Sequence, residues 1–151
     1  MDDIAILRVL HVAGAVLLLG NVTVTGVWAA YLYRVRDRVP FQPVARAILW
    51  TDLIFTIGGG TLLTVSGILL VLRRGYAVPG TPWLSQGIVA LGAATALWLG
   101  VLLPAQFQME RAGAGDTEGL GRAFRRWSVV GWVATALLYY GLWAMAGRGG
   151  A

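Results

Sequence analysis

The chain holds a single histidine, His11, and it lies in an apolar run with Gly14, Leu18, Asn21, Thr25 and Trp28 following at alternating three- and four-residue steps. On a helix these six residues share one face. An imidazole beside a glycine gap on an inward face suits iron ligation, because a planar macrocycle needs room as well as a nitrogen ligand. The spacing is therefore compatible with a haem held by His11, with Gly14 and Asn21 lining its pocket between the first two helices. There is no second histidine to complete a bis-imidazole site. Met145 is the soft side chain expected on the same side of the membrane as His11. The plainer alternative is a histidine hydrogen-bonded to a neighbouring helix.

Asp52 is the other candidate, flanked by Thr51, Leu53, Ile54, Phe55 and Thr56. An ionisable group within an apolar stretch is expensive to bury and usually marks a functional position. It could handle protons or organise a pocket. The reading favoured from sequence is an interfacial carboxylate held by arginines from the neighbouring loops. Arg8 reads as an ordinary interfacial anchor.

Other chemistries lack their residues. Cysteine is absent, which removes thiol catalysis, disulfides and thiolate metal sites. No phosphate-binding loop, hydrolytic triad or paired-carboxylate site occurs. All twelve basic residues are arginine and the net charge is +5. They cluster in short loops and at the ends of apolar stretches, with no aromatic-interleaved basic face, so nucleic acid is not an expected partner.

The elements that position these residues are set by composition. Of 151 residues 58% are hydrophobic and only 13% charged, against about a quarter charged in an ordinary soluble domain. The expected fold is all-α, an integral membrane four-helix bundle in one domain, with the lipid bilayer as its first partner. Spans are expected at about residues 4–34, 44–72, 83–108 and 127–146. The first would extend over roughly 46 Å and so must tilt or protrude. Asp3 is its expected N-cap, and it reads as a retained span. Residues 39–43, with Pro40 and Pro43, read as a turn, and Pro104 should kink or end the third helix. Residues 110–121 read as the one plainly water-exposed loop, and the tail 147–151 as disordered. More arginines flank loops one and three than loop two and the tail, which places loops one and three in the cytoplasm and both termini outside.

Small residues at four-residue spacing are expected to seat one helix on another. Gly92, Ala96 and Gly100 form such a stripe, with Gly60 and Thr64, and Gly131 and Thr135, as further pairs. The run Gly58, Gly59, Gly60 reads as a hinge, a kink or a place where a flat ligand meets backbone.

The string from Leu7 to Gly14, with Leu19-Gly20-Asn21 and Tyr31 to Arg34, resembles the opening helix of a bacterial family of integral membrane proteins known only as a domain of unknown function. The resemblance continues through Thr51 to Thr56, Ser66-Gly67, Arg126-Trp127 and Gly131-Trp132. It implies a four-helix bundle in the bacterial inner membrane. The family is distantly similar to copper-resistance D-like proteins and to membrane haem-containing protoporphyrinogen oxidases, which implies a haem on His11. Those oxidases look to need a second histidine and a lysine, and this chain has neither.

Two functions follow as expectations. One is a membrane redox protein that binds haem b through His11 and exchanges electrons with a quinone or porphyrin. The other is a non-catalytic accessory or assembly subunit of a larger membrane complex, or of a homodimer.

Overall fold

A computed structural model describes residues 2–112 and 116–147; the expected tail beyond Gly147 and the middle of the third loop lie outside the described residues. Among these residues four helices are long and apolar enough to cross a membrane: Asp3–Arg34, Phe41–Arg74, Pro82–Arg111 and Thr117–Ala146. The first is α1 (Asp3–Arg34) and the fourth is α6 (Thr117–Ala146). The second comprises α2 (Phe41–Thr51), a π-helical turn (Asp52–Thr56) and α3 (Ile57–Arg74). The third comprises α4 (Pro82–Leu97), a π-helical turn (Trp98–Leu102) and α5 (Leu103–Arg111).

The exposed surface is apolar along its length, with Leu72 70% and Val89 69% exposed. Such a surface suits lipid, where the spans gain nothing by hiding leucine and valine from their surroundings.

Local chemistry fixes the helix ends. Asp2, one residue earlier than expected, accepts from Ile4 N at 3.4 Å and caps α1. Pro43 sits in the first turn of α2, where its missing N–H is harmless. Gly75 closes α3 in the left-handed conformation, φ 66°, which an L side chain rarely adopts. Asp116 accepts from Gly119 N at 2.8 Å and starts α6 at Thr117, ten residues before the expected start of the fourth span. The loop inferred from polarity is therefore largely helix, a polar first turn of a membrane span. Pro104 neither ends nor breaks the third span. The π-helical turn immediately before it absorbs the lost backbone bond.

The four spans run up and down in a ring, and they pack unevenly. Towards the ends carrying the chain termini, α1 lies along α3 and α4 lies along α6. Towards the loop-one and loop-three end, α2 packs on α5, and α1 and α5 both pack on α6. The buried apolar core sits there, built from Phe41, Ala45, Ile48, Leu102, Ala105, Met109, Phe124 and Trp127 with their neighbours. Tyr33 stacks on Phe124 at 3.8 Å between centroids, and Phe41 meets both rings edge-on. Arg46 holds Glu110 at 3.0 Å across α2 and α5.

The close helix seams use different glycines from those the four-residue stripes predict. A methyl at Gly14 would lie 2.5 Å from Leu63 N, and one at Gly59 would lie 2.9 Å from Leu18 N. Gly141 abuts Ala90, and the Met145 side chain fills the space over Gly87. By contrast, Gly92 and Gly100 have nothing within 4 Å of where a Cβ would stand. That stripe faces outward and joins no helices within this chain.

Candidate functional site

Close seams join α1 to α3 and α4 to α6, and α1 also meets α6 as far as Gly26 against Trp132 and a 3.1 Å Thr23–Tyr139 hydrogen bond, so the pairs part chiefly between α3 and α4. The space between them is a cleft of about 440 Å³. One wall is Leu18, Val22, Thr25, Gly60 and Thr64; the other is Leu91, Ala94, Thr95, Gly131, Thr135 and Leu138. Its rim includes the exposed residues Thr61, Val65, Thr95 and Leu99, so it opens sideways towards lipid between α3 and α4.

The floor carries the ionisable group. Asp52 lines the cleft and is only 5% exposed. Asn21 Nδ2 donates to Asp52 Oδ1 at 2.7 Å and also reaches Thr56 Oγ1 at 3.1 Å. Thr25 donates to Asn21 Oδ1 at 3.2 Å, which turns the amide nitrogen towards the carboxylate. From the third span, the Gln106 amide, wholly buried, donates to the other carboxylate oxygen. The Trp98 indole N–H is turned towards the same group at a geometry short of a full hydrogen bond. Asp52 and Trp98 each open one of the two π-helical turns. Such turns, with their extra residue, commonly occur at functional positions.

No arginine among the described residues reaches Asp52. The ion pairs among the described residues are Arg46–Glu110, Arg73–Asp3 and Arg122–Glu118, all at the ends of the bundle. The expectation of an interfacial carboxylate held by loop arginines is therefore corrected. Arg46 is committed to Glu110, and Asp52 lies deeper, held by neutral dipoles from the first and third spans.

His11 is in a different place. Its Nδ1 lies 2.8 Å from Leu63 O, and since a carbonyl only accepts, Nδ1 is the donor. Ser66 Oγ is 3.4 Å from the same nitrogen. The ring covers Gly67, where a Cβ would stand 2.9 Å from His11 Cε1.

The four residues expected around a haem do not come together as one set. His11 is engaged at Leu63, Asn21 at Asp52, and Met145 against Gly87 on the opposite helix pair. The gap expected at Gly14 is filled by the Leu63 and Gly59 backbone. A macrocycle has no room there, and the residues as arranged do not fit the group. Of the predicted α1 face, Gly14, Leu18, Asn21 and Thr25 do point inward, but Trp28 is 61% exposed.

Sequence reasoning missed Gln106 and Trp98. Both were visible as hydrogen-bonding side chains in the third apolar stretch, but nothing in their spacing pointed to Asp52, 54 residues from Gln106 along the chain. Among the described residues, no three histidine or acidic side chains gather as a metal site.

Fold and site together define an integral membrane four-helix bundle with a lateral cleft and a buried carboxylate at its floor. The chain belongs to the family described as "Predicted integral membrane protein (DUF2269)", whose model matches residues 5–148. No curated protein and no solved structure matches it.

Proposed function

We propose that this protein binds a lipid-soluble small molecule in the cleft between its two helical pairs, admitting it sideways from the bilayer. The observation that carries the reading is the pairing of a lipid-open apolar cleft with a carboxylate at its buried end. Ligand pockets combine those two properties, a mostly apolar wall and a few fixed polar groups that orient the guest. The divergence of the helix pairs also has no packing rationale, since small residues on both walls could have let them close. The redox expectation would enter here as one class of guest, a quinone or quinol with its ring between Thr64 and Thr135; the chemistry of the lining decides between such a neutral guest and a charged one. The positive-inside pattern orients the bundle in the bacterial inner membrane with loops one and three in the cytoplasm. The cleft then opens in the outer half of the bilayer.

The test is organic extraction of the protein purified in mild detergent, with mass spectrometry of what is released. A ligand near one per chain is expected, falling several-fold in Gly60→Leu. That substitution fills the cleft and meets no neighbour, since nothing lies within 4 Å of a Cβ at Gly60. Equal recovery from both proteins would overturn the reading.

A second reading, an accessory subunit or homodimer, is favoured by the outward stripe Gly92, Ala96, Gly100, which lets another helix approach closely. Size measurement of Gly92→Leu in detergent tests it, because loss of an oligomer without loss of fold would place the contact there.

A further inference from the structure

Three hydroxyls of the cleft face a guest as hydrogen-bond acceptors. Thr95 donates its hydroxyl hydrogen to Leu91 O at 2.8 Å, and Thr135 donates to Gly131 O at 2.8 Å. Thr25 donates to Asn21. What these hydroxyls leave for a guest is oxygen lone pairs. Trp98 and Trp127 also line the cleft, but their indole N–H groups are covered and have no hydrogen-bond partner. The indoles therefore offer the guest ring surface, the negative face of the π-system, rather than donors. Asp52 is the one ionisable residue of the lining, and among the described residues it is met by amide dipoles and no cation. A carboxylate in a membrane is stabilised by a counter-charge or a proton. No described residue supplies that counter-charge, which leaves the place to a proton or to a cationic guest.

We infer that the guest is a lipophilic organic cation, an ammonium- or phosphonium-like centre carried on an apolar body, seated with its charge at Asp52 on the floor of the cleft. This rests on the cleft reading above and names its ligand class. Cation–π attraction is strongest to tryptophan and increases as water is excluded, and Trp98 and Trp127 both line the cleft. The apolar body fills the space between Leu18, Thr64 and Leu138. An anion would meet the carboxylate directly.

Two ions of one shape separate the terms. Tetraphenylphosphonium and tetraphenylborate carry opposite charges on the same four phenyl groups, so apolar fit is matched and only the sign differs. Equilibrium dialysis of the full chain in neutral detergent is expected to show saturable phosphonium binding at least tenfold tighter than borate binding. Asp52→Asn should collapse that preference to near parity, and Asp52→Glu should retain most of it. The asparagine variant can keep its fold, because the Gln106 Oε1 now without a partner can turn to accept from the new amide; circular dichroism checks that it does. Gly60→Leu should weaken both ions.

If both ions bind equally, with Gly60→Leu weakening both, the cation assignment fails while the cleft reading stands. If phosphonium does not bind, the cation assignment also fails. The cleft reading is then judged by the co-purified ligand alone. If both ions bind but neither responds to Gly60→Leu, the cleft reading and the cation assignment fail together.

Discussion

Asn21 and Asp52, 31 residues apart in sequence, meet across the first two spans at 2.7 Å, and Gln106 closes on the same carboxylate from the third. One buried acidic group thus links three of the four spans at the level where the helix pairs begin to diverge. The arrangement holds the loop half together and leaves the terminal half free to form a cleft.

Asn21→Leu removes one of these links without removing the charge. A hydrogen bond between membrane helices contributes about 0.6 kcal/mol on average and up to about 1.7 kcal/mol. Loss at the upper end of that range is expected, because Thr56 loses its partner together with Asp52. Thermal unfolding in detergent should show a clear fall in Tm for Asn21→Leu and for Gln106→Leu. A double variant should lose less than the sum, since both amides serve one carboxylate. Unchanged midpoints would mean that the cluster contributes nothing to holding the spans together.

The glycines divide into two groups that the sequence presents alike. Gly14→Ala drives a methyl to 2.5 Å from Leu63 N, a backbone atom that cannot move alone. A loss of about 1–3 kcal/mol is expected, as for other overpacked sites. Gly92→Ala meets nothing and should be neutral, or stabilising by up to about 1 kcal/mol through helix propensity. Midpoints measured side by side give the contrast directly; equal effects at the two positions would contradict the seams described here.

His11→Asn is expected to keep most of the stability, because the amide can still donate towards Leu63 O. With the Gly14 gap filled, His11 works as a tie between α1 and α3. Spectra of the purified chain before and after dithionite should therefore show no Soret band that depends on this residue. A Soret band present in the parent and absent from His11→Asn would make His11 an iron ligand after all, and would require the α1–α3 seam to open.

Much of the bundle was legible in the sequence because membrane spans declare themselves by length and hydropathy, and because the boundaries at Pro40 and Gly75 carry their own backbone chemistry, although the turn expected over residues 39–43 gives way to helix from Phe41. The inward face of α1 was legible for the same reason, since the 3.6-residue period set Gly14, Leu18, Asn21 and Thr25 together. The partners of Asp52 were not, because contacts between spans depend on how far each helix is rotated about its axis. Two π-helical turns, each inserting extra backbone, shift that rotation in mid-span. The start of α6 was hidden for the opposite reason. Its first turns are polar, and polarity in a sequence of apolar spans reads as loop. Nor could spacing tell Gly14, pressed on a neighbour, from Gly92, open to the outside.

The absence of cysteine from the chain allows the cleft to be probed one position at a time. Thr64 and Thr135 lie on opposite walls of the cleft, whereas Ala105, 1% exposed, belongs to the packed core at the loop end. Single substitutions Thr64→Cys and Thr135→Cys should react with a small membrane-permeant maleimide, and Ala105→Cys should not. Thr135 is the more telling of the pair. At 7% exposure it is shielded from bulk lipid, so a reagent can reach it only by entering between the helix pairs. Tetraphenylphosphonium should slow labelling at Thr135→Cys several-fold and leave Gly92→Cys, on the outer face of α4, unaffected. Protection at both positions would point to a general effect of the cation on the detergent micelle. Labelling of Ala105→Cys as fast as Thr135→Cys would show that the loop half opens as readily as the cleft, against the uneven packing from which the site is argued.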